Sequence, residues 1–407
     1  MITRNINKII IALLFVVITT SSWANTIKWS MKGDSLTLDP HAQNEGPTTM
    51  VSRQIYEALV TRGVDMSIGP QLATDWKATN PTTWVFNLRN DVTFHNGDKM
   101  TSEDVVFSLL RAQQPTSDFK EYISTITSVK ALDDYTVEIQ TRDPNPILLN
   151  QLSNIFVMSK KWCSENFAIV PQNWDASQET FSAVNAMGTG PFKITLREPN
   201  TKTVFKRNKK WWGTMKDNKV TEIHLLPIKN AATRVAALLS GEIDVVTDAP
   251  VQDLARIKNS PAHKVESTAQ MRTIFLGMDQ GADKLRTGNT GDNPFKKKAV
   301  RQALYQAIDI EAIKKKVMRG LSEPAGIITF PGVNGYTKEL DKRLPYDVAA
   351  AKKLLADAGY PNGFEVELRC PNDRYVNDEA ICTAVVGMLG KIGVKVNLFA
   401  QTKSKHF

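Results

Sequence analysis

Residues 369–385, RCPNDRYVNDEAICTAV, set two cysteines, Cys370 and Cys382, and an arginine, Arg374, around one short polar loop. The chain has one further cysteine, Cys163. In an oxidising compartment Cys370 and Cys382 are natural disulfide partners. The rival reading is a metal site, for which two thiols with no nearby histidine are a poor zinc set. A bond between them would stabilise the fold by about 3 kcal/mol on the chain-entropy model and would limit where Arg374 can go. The guanidinium of Arg374 is a planar fork of donors that grips a carboxylate through two hydrogen bonds. With Asn372, Asp373 and Tyr375 beside it, Arg374 reads equally as an anion anchor or as a surface arginine paired with Asp373 or Asp378.

Catalytic spacing is missing elsewhere. The five histidines, His41, His95, His224, His263 and His406, are widely spread, and none forms an HExxH pair. His95, in a Phe-His-Asn-Gly turn, reads as structural. There is no GxSxG nucleophile elbow and no phosphate-cradling GxxxxGK[ST], and Gly188-Thr189-Gly190 is too short for a dinucleotide fingerprint. Trp211-Trp212 reads as packing rather than as a stacking platform. The chain is therefore expected not to be an enzyme, and no cofactor or metal is expected.

The loop at 369–385 needs elements to hold it. Phe364–Leu368 alternates as a strand, and a helix starts at Asn377 or Asp378 with Ala380, Ile381, Ala384, Val385, Met388 and Leu389 inward. Val394–Leu398 returns as a second strand. This is a βαβ unit, predicting parallel strands and a right-handed crossover. The loop then lies at the C-terminal end of its first strand, where open α/β sheets bind ligands. Before it, Asp347 caps a helix stopped at Gly359, two helices run from Ala299 and from Ile310 to Gly320, and Met271–Met278 is predicted as a strand.

Toward the N-terminus, Thr26–Ser30 predicts a strand and residues 48–60 a helix with Val51, Ile55, Ala58 and Leu59 on one face. Trp84–Leu88 and Val137–Gln140 alternate as strands, with Asn-Asp and Asn-Gly as hairpin punctuation. Thr101-Ser102-Glu103-Asp104 opens a capped helix with Val105, Val106, Leu109 and Leu110 inward. Gly188-Thr189-Gly190-Pro191 predicts a sharp change of direction, such as a crossing between domains. Asn230 caps a helix with Val235, Ala236, Leu238 and Leu239 inward. The class is α/β, mixed α+β.

At 407 residues the chain exceeds one ordinary core, so two or three domains are expected. Arg4 and Lys8 precede an apolar run, Ile9–Ile18, and then Ser21-Ser22-Trp23-Ala24. That pattern predicts a secretory signal peptide over residues 1–24. The run is too short to span a membrane, and no cysteine offers a lipid anchor at the cleavage point. The mature chain keeps 49 basic and 42 acidic residues, a net charge of about +7. The excess is scattered. Lys296–Lys298 and Lys314–Lys316 read as solvated helix faces, so no nucleic-acid partner is expected. A soluble periplasmic protein is expected.

Several segments in order resemble the peptide-binding components of ABC importers, the extracellular solute-binding proteins of the dipeptide and oligopeptide family (family 5). They are Leu72–Trp76, Val92–Asp98, Thr101–Val105, Gly188–Phe192, Val300–Ala303 and Ala358–Pro361. The resemblance implies a two-lobed periplasmic-binding-protein fold. Lobe I would comprise residues 25–67 plus 186–268, with an extra domain inserted at 68–185, and lobe II would begin at 269. It implies a monomer that captures short peptides between its lobes and delivers them to permease subunits in the inner membrane. Relatives with non-peptide cargo bind nickel chelates, haem, glutathione or saccharides. In a dipeptide-binding relative an arginine of this loop holds the ligand's C-terminal carboxylate. Arg374 falls there, flanked by Asp373 and Tyr375, and Asn44, Glu45, Gly46 and Thr48 correspond to cleft-lining residues of lobe I. Family members continue beyond residue 407, so an incomplete second lobe is expected here, with a non-binding remnant as the alternative.

Overall fold

The computed structural model describes residues 25–215, 219–268, 272–285, 291–333 and 335–406. The signal-peptide reading of 1–24 lies outside them. Strand β1 (Asn25–Ser30) leads through a loop to helix α1 (Gly46–Ile55), and β2 (Val60–Arg62) pairs antiparallel with β3 (Ile68–Pro70). Next come β4 (Ala73–Asn80), β5 (Thr83–Leu88), helix α2 (Ser102–Ala112), β6 (Ile126–Asp133) and β7 (Thr136–Thr141). The four strands form an antiparallel sheet in the order β4-β5-β7-β6. Short helices α3 (Leu148–Leu152), α4 (Lys160–Glu165) and α5 (Phe181–Val184) follow. The chain then builds β8 (Phe192–Glu198), β9 (Lys202–Arg207), β10 (Val220–Leu225), α6 (Ala231–Leu239), β11 (Val245–Val246) and α7 (Leu254–Lys258). These strands join β1 in a five-stranded sheet ordered β11-β1-β10-β9-β8, with β1 parallel to both neighbours.

The predicted helix at 48–60 is shorter and starts earlier. Glu45 caps α1, and Pro47 in its first turn needs no hydrogen-bond partner for its nitrogen. At the other end Tyr56 turns extended, and the carbonyl of Ile55 accepts the amide of Gly190 at 2.8 Å instead of continuing the helix. Ala58 and Leu59 therefore leave the helical face. Leu59 joins the core under the four-stranded sheet, whereas Val51 and Ile55 pack beneath the five-stranded one. This junction requires glycine. A Cβ on Gly188 would lie 2.0 Å from the Ile55 carbonyl oxygen, and one on Gly190 would lie 2.7 Å from the same atom. Gly188→Ala is expected to destabilise the fold by at least about 1–3 kcal/mol, read as a lower urea midpoint at unchanged slope.

In α2 the capping carboxylate is present: the Thr101 amide donates to Asp104 Oδ2 at 2.9 Å. The buried stripe runs through Val105, Ser108, Leu109 and Ala112, while Leu110 is exposed and Val106 half-buried. Likewise in α6 Ala237, not Ala236, points inward. Both are small rotations, set by which face the neighbouring sheet offers. Arg111 also points inward, into a fully buried pocket. Its five N–H groups reach Asp39 Oδ1 (2.8 Å) and Oδ2 (2.5 Å), His41 Nδ1 (3.1 Å) and the carbonyls of Ala168 (2.9 Å) and Val170 (3.1 Å). Trp211 and Trp212 serve packing, since both indole N–H groups donate to Glu57, at 3.1 and 3.0 Å. His95 is tied to the Gly188–Gly190 turn through Nε2 and the Gly190 carbonyl (3.0 Å), and burial lowers its pKa to about 4.

The C-terminal part contains α8 (Lys298–Ala307), α9 (Ile310–Ala312) running into a π-helical turn, α10 (Val348–Asp357), β12 (Glu365–Pro371), α11 (Asp378–Gly390), β13 (Lys395–Gln401) and the short α12 (Lys403–His406). The βαβ expectation holds: β12 and β13 are parallel, in register from Glu365↔Lys395 to Pro371↔Gln401. Val300, Ala303, Leu355, Val366, Val385 and Leu389 share their core. Ala380 is exposed, so the inward face of α11 is narrower than predicted. The predicted strand at 271–278 is not formed over its described residues, 272–278. Its alternation supplies a side-chain pattern only. A strand also needs a neighbour for its amides and carbonyls, and this segment lies on neither edge of the β12–β13 pair.

Candidate functional site

Six residues, 372–377, connect β12 to α11 and carry Arg374. Four local features shape this loop. Asn372 extends the strand pairing by donating its amide to Gln401 at 2.9 Å. The buried carboxylate of Asp378 accepts the amides of Arg374 and Tyr375, each at 2.9 Å. Asn377 adopts a left-handed backbone (φ 54°) and donates its side-chain amide to the Val317 carbonyl at 2.8 Å. Cys370 and Cys382 are disulfide-bonded, joining the strand end to the helix, which removes the metal reading of this pair.

Asp378 is thus committed to backbone amides and does not pair with the Arg374 guanidinium. No carboxylate among the described residues forms an ion pair with Arg374. Its guanidinium carbon lies 5.3 Å from the centre of the Tyr375 ring. It also reaches the start of α1, where a Cβ added to Gly46 would lie 3.9 Å from Arg374 Nη1. The loop at 372–377 and the 44–48 segment, more than 300 residues apart in sequence, therefore face each other.

On the α1 side the four predicted residues divide. Glu45 Oε1 accepts the Thr48 amide (3.0 Å) and hydroxyl (2.6 Å), and Thr48 Oγ1 accepts the Leu36 amide at 3.0 Å. Glu45 and Thr48 are buried and set the helix start that presents Gly46. Asn44 is exposed and turned toward Asp118 and Tyr122, with contacts of 3.2 Å to each. Two further contacts reach the 372–377 loop from other segments: Lys32 Nζ donates to the Asn372 carbonyl at 3.4 Å, and Gln252 Nε2 to Asn377 Oδ1 at 3.3 Å. Lys32, Gln252 and Arg272, whose guanidinium carbon lies 5.2 Å from the Tyr375 ring centre, escaped sequence reading. No local signal marks them, because each arrives from a separate segment.

Cys163 is fully buried, and burial pushes its thiol up to about 12. A thiol reagent is expected to label no cysteine in the native protein, one after denaturation, and three after denaturation with reduction. Two reactive thiols in the denatured, unreduced chain beyond Cys163 would contradict the Cys370–Cys382 bond. Reducing that bond is expected to cost about 3 kcal/mol of stability.

A family model described as bacterial extracellular solute-binding proteins, family 5 Middle, matches residues 67–406. Heme-binding protein A of Haemophilus influenzae is 27% identical over 93% of this chain and 70% of its own length. The periplasmic murein peptide-binding protein MppA of Escherichia coli is 25% identical over 91% of this chain and 70% of its own. Among solved structures, the binding protein AgaA of A. tumefaciens R10 in complex with agropinic acid superposes with a TM-score of 0.75 at 28% identity, covering 94% of this chain and 74% of that one. Sequence, fold and the two-lobed architecture of its structural neighbours agree, and the chain belongs to the family 5 bacterial extracellular solute-binding proteins.

Proposed function

We propose that this protein is the extracytoplasmic substrate-binding component of an ABC importer, capturing short peptides between two lobes and delivering them to the membrane permease. Arg374 carries the reading: a half-buried guanidinium with no carboxylate partner among the described residues, on a disulfide-braced loop that faces a helix start. Such an arrangement suits a ligand carboxylate, which would supply the two acceptors the fork lacks. The bracing lowers the entropy lost on binding. In this reading residues 25–67 with 186–268 form one jaw, 68–185 an insertion in it, and 269–407 the other jaw. The protein works as a periplasmic monomer and leaves its cargo chemically unchanged. Its similarity to a heme-binding protein of Haemophilus influenzae supports non-peptide cargo as the second reading.

A thermal-shift screen against dipeptides, longer peptides, glutathione, haem and nickel chelates tests both. Cargo that binds the native state raises the melting temperature by mass action, by about 2.7 kcal/mol of stability at a hundredfold excess over Kd. A response confined to peptides supports the proposal. A response only to chelates, haem or glutathione transfers it to the second reading, and a folded protein that answers to nothing overturns both.

A further inference from the structure

We propose that Arg272 and Arg374 form a two-cation seat, and that the cargo brings two acidic groups to it. This deepens the reading of the same cleft and rests on it for the cleft's role in binding. The two guanidinium carbons lie 5.2 and 5.3 Å from the centre of one ring, that of Tyr375. Neither side chain has an ion-pair partner among the described residues. Both are half-buried, and two like charges brought together in a partly desolvated place are unfavourable unless an anion joins them. The Arg272 pKa is lowered accordingly, first by burial and then by the charge of Arg374.

The surrounding charges sharpen the case. Asp248 acts on Arg272 from a distance and offsets part of its charge. Asp378 is spent on three backbone amides, those of Arg374, Tyr375 and Glu379. Glu45 Oε1 caps the start of α1. Lys32, donating to the Asn372 carbonyl, adds a third cation at the rim. A ligand with one carboxylate satisfies a single fork and leaves the other guanidinium repelled. A ligand with two, such as a peptide ending in an acidic residue, satisfies both. The Tyr375 ring lies within cation–π distance of both guanidinium groups.

The test compares Ala-Glu with Ala-Gln, which differ by one charge and little in shape, by calorimetric titration of the wild-type protein and of Arg272→Gln and Arg272→Lys. Ala-Glu is expected to bind roughly tenfold more tightly to the wild type. Arg272→Gln is expected to collapse that ratio toward one, and Arg272→Lys to restore part of it. Equal binding of the two dipeptides by the wild type overturns the proposal, as does a ratio unchanged in Arg272→Gln. If neither dipeptide binds, the wider screen above decides the peptide reading, and succinate against acetate decides the seat. A rise in melting temperature with succinate that Arg272→Gln abolishes supports it, and no such rise overturns it. Melting of each ligand-free variant verifies that it is folded.

Discussion

Arg374→Ala is expected to weaken a carboxylate-bearing ligand by about 2–3 kcal/mol, a loss of roughly 30- to 150-fold in Kd, while ligand-free stability changes by less than about 0.5 kcal/mol. The asymmetry follows from how the residue is held. Its position is set through the backbone, by the Asp378 carboxylate and the disulfide, so removing the side chain leaves the loop intact. What the side chain itself touches is the Tyr375 ring and the approach to Gly46. A bound carboxylate would lose two charge-assisted hydrogen bonds and remain partly desolvated. Calorimetric titration checks the affinity and thermal melting the stability. A variant that binds as the wild type does removes Arg374 from the site, whereas one that melts much earlier shows a structural part the geometry does not indicate. Arg374→Lys should recover little, because a point charge cannot satisfy both oxygens in plane.

The second large effect lies far from the cleft. Arg111→Met is expected to destabilise the protein by about 3–5 kcal/mol, because it leaves the Asp39 carboxylate buried without its counter-charge. The same cluster makes stability depend on pH. Burial alone would raise the Asp39 pKa, but the charge and hydrogen bonds of Arg111 outweigh it and hold it at about 2. His41 is lowered to about 3, by burial first and then by Arg111. Its geometry gives the same answer: Nε2 donates to the Phe156 carbonyl at 2.9 Å, and Nδ1 must stay unprotonated to accept from Arg111. Both folded-state pKa values lie below those of the unfolded chain, 6.5 for the histidine and 3.8 for the aspartate. The unfolded state therefore binds the extra proton, and stability falls as the pH is lowered. The His41 contribution is complete above about pH 6.5 and declines toward pH 3, at about 1.4 kcal/mol per unit. That of Asp39 is lost between about pH 4 and 2. Urea unfolding at a series of pH values should show this slope, and His41→Gln, which cannot titrate, should flatten the part between pH 3 and 6.5. An unchanged slope in that variant would assign the acid sensitivity elsewhere.

Much of the local structure was legible because its causes are local. Asn230 and Asp347 cap their helices as their side chains and positions dictate, accepting the amides of Thr233 and Ala350 at 2.9 Å each. The alternation at 364–368 and 394–398 and the helix between them predicted the parallel pair. Errors arose where a neighbour decided. The end of α1 is fixed by Gly190 donating to Ile55, the unformed strand at 272–278 by the lack of an adjoining sheet edge, and the inward turn of Arg111 by Asp39, which lies 72 residues away. In an apolar helix pattern an arginine reads as the solvent side, and only its buried partners reverse that.

For the site, the amino-acid sequence by itself determined the loop: the paired cysteines, the strand end, the helix start and the arginine between them. Spacing along the chain carries that information, because a disulfide, a cap and a βαβ crossover join residues close in sequence. The tertiary structure alone decided what faces the loop. Gly46, Lys32, Gln252 and Arg272 meet it from segments that no sequence spacing links to residue 374, and the buried start of α1 turns Glu45 and Thr48 into supports for Gly46. Which side chains share a cleft depends on the path of the whole backbone. That path is set by the packing of separate cores, and no short stretch of sequence encodes it.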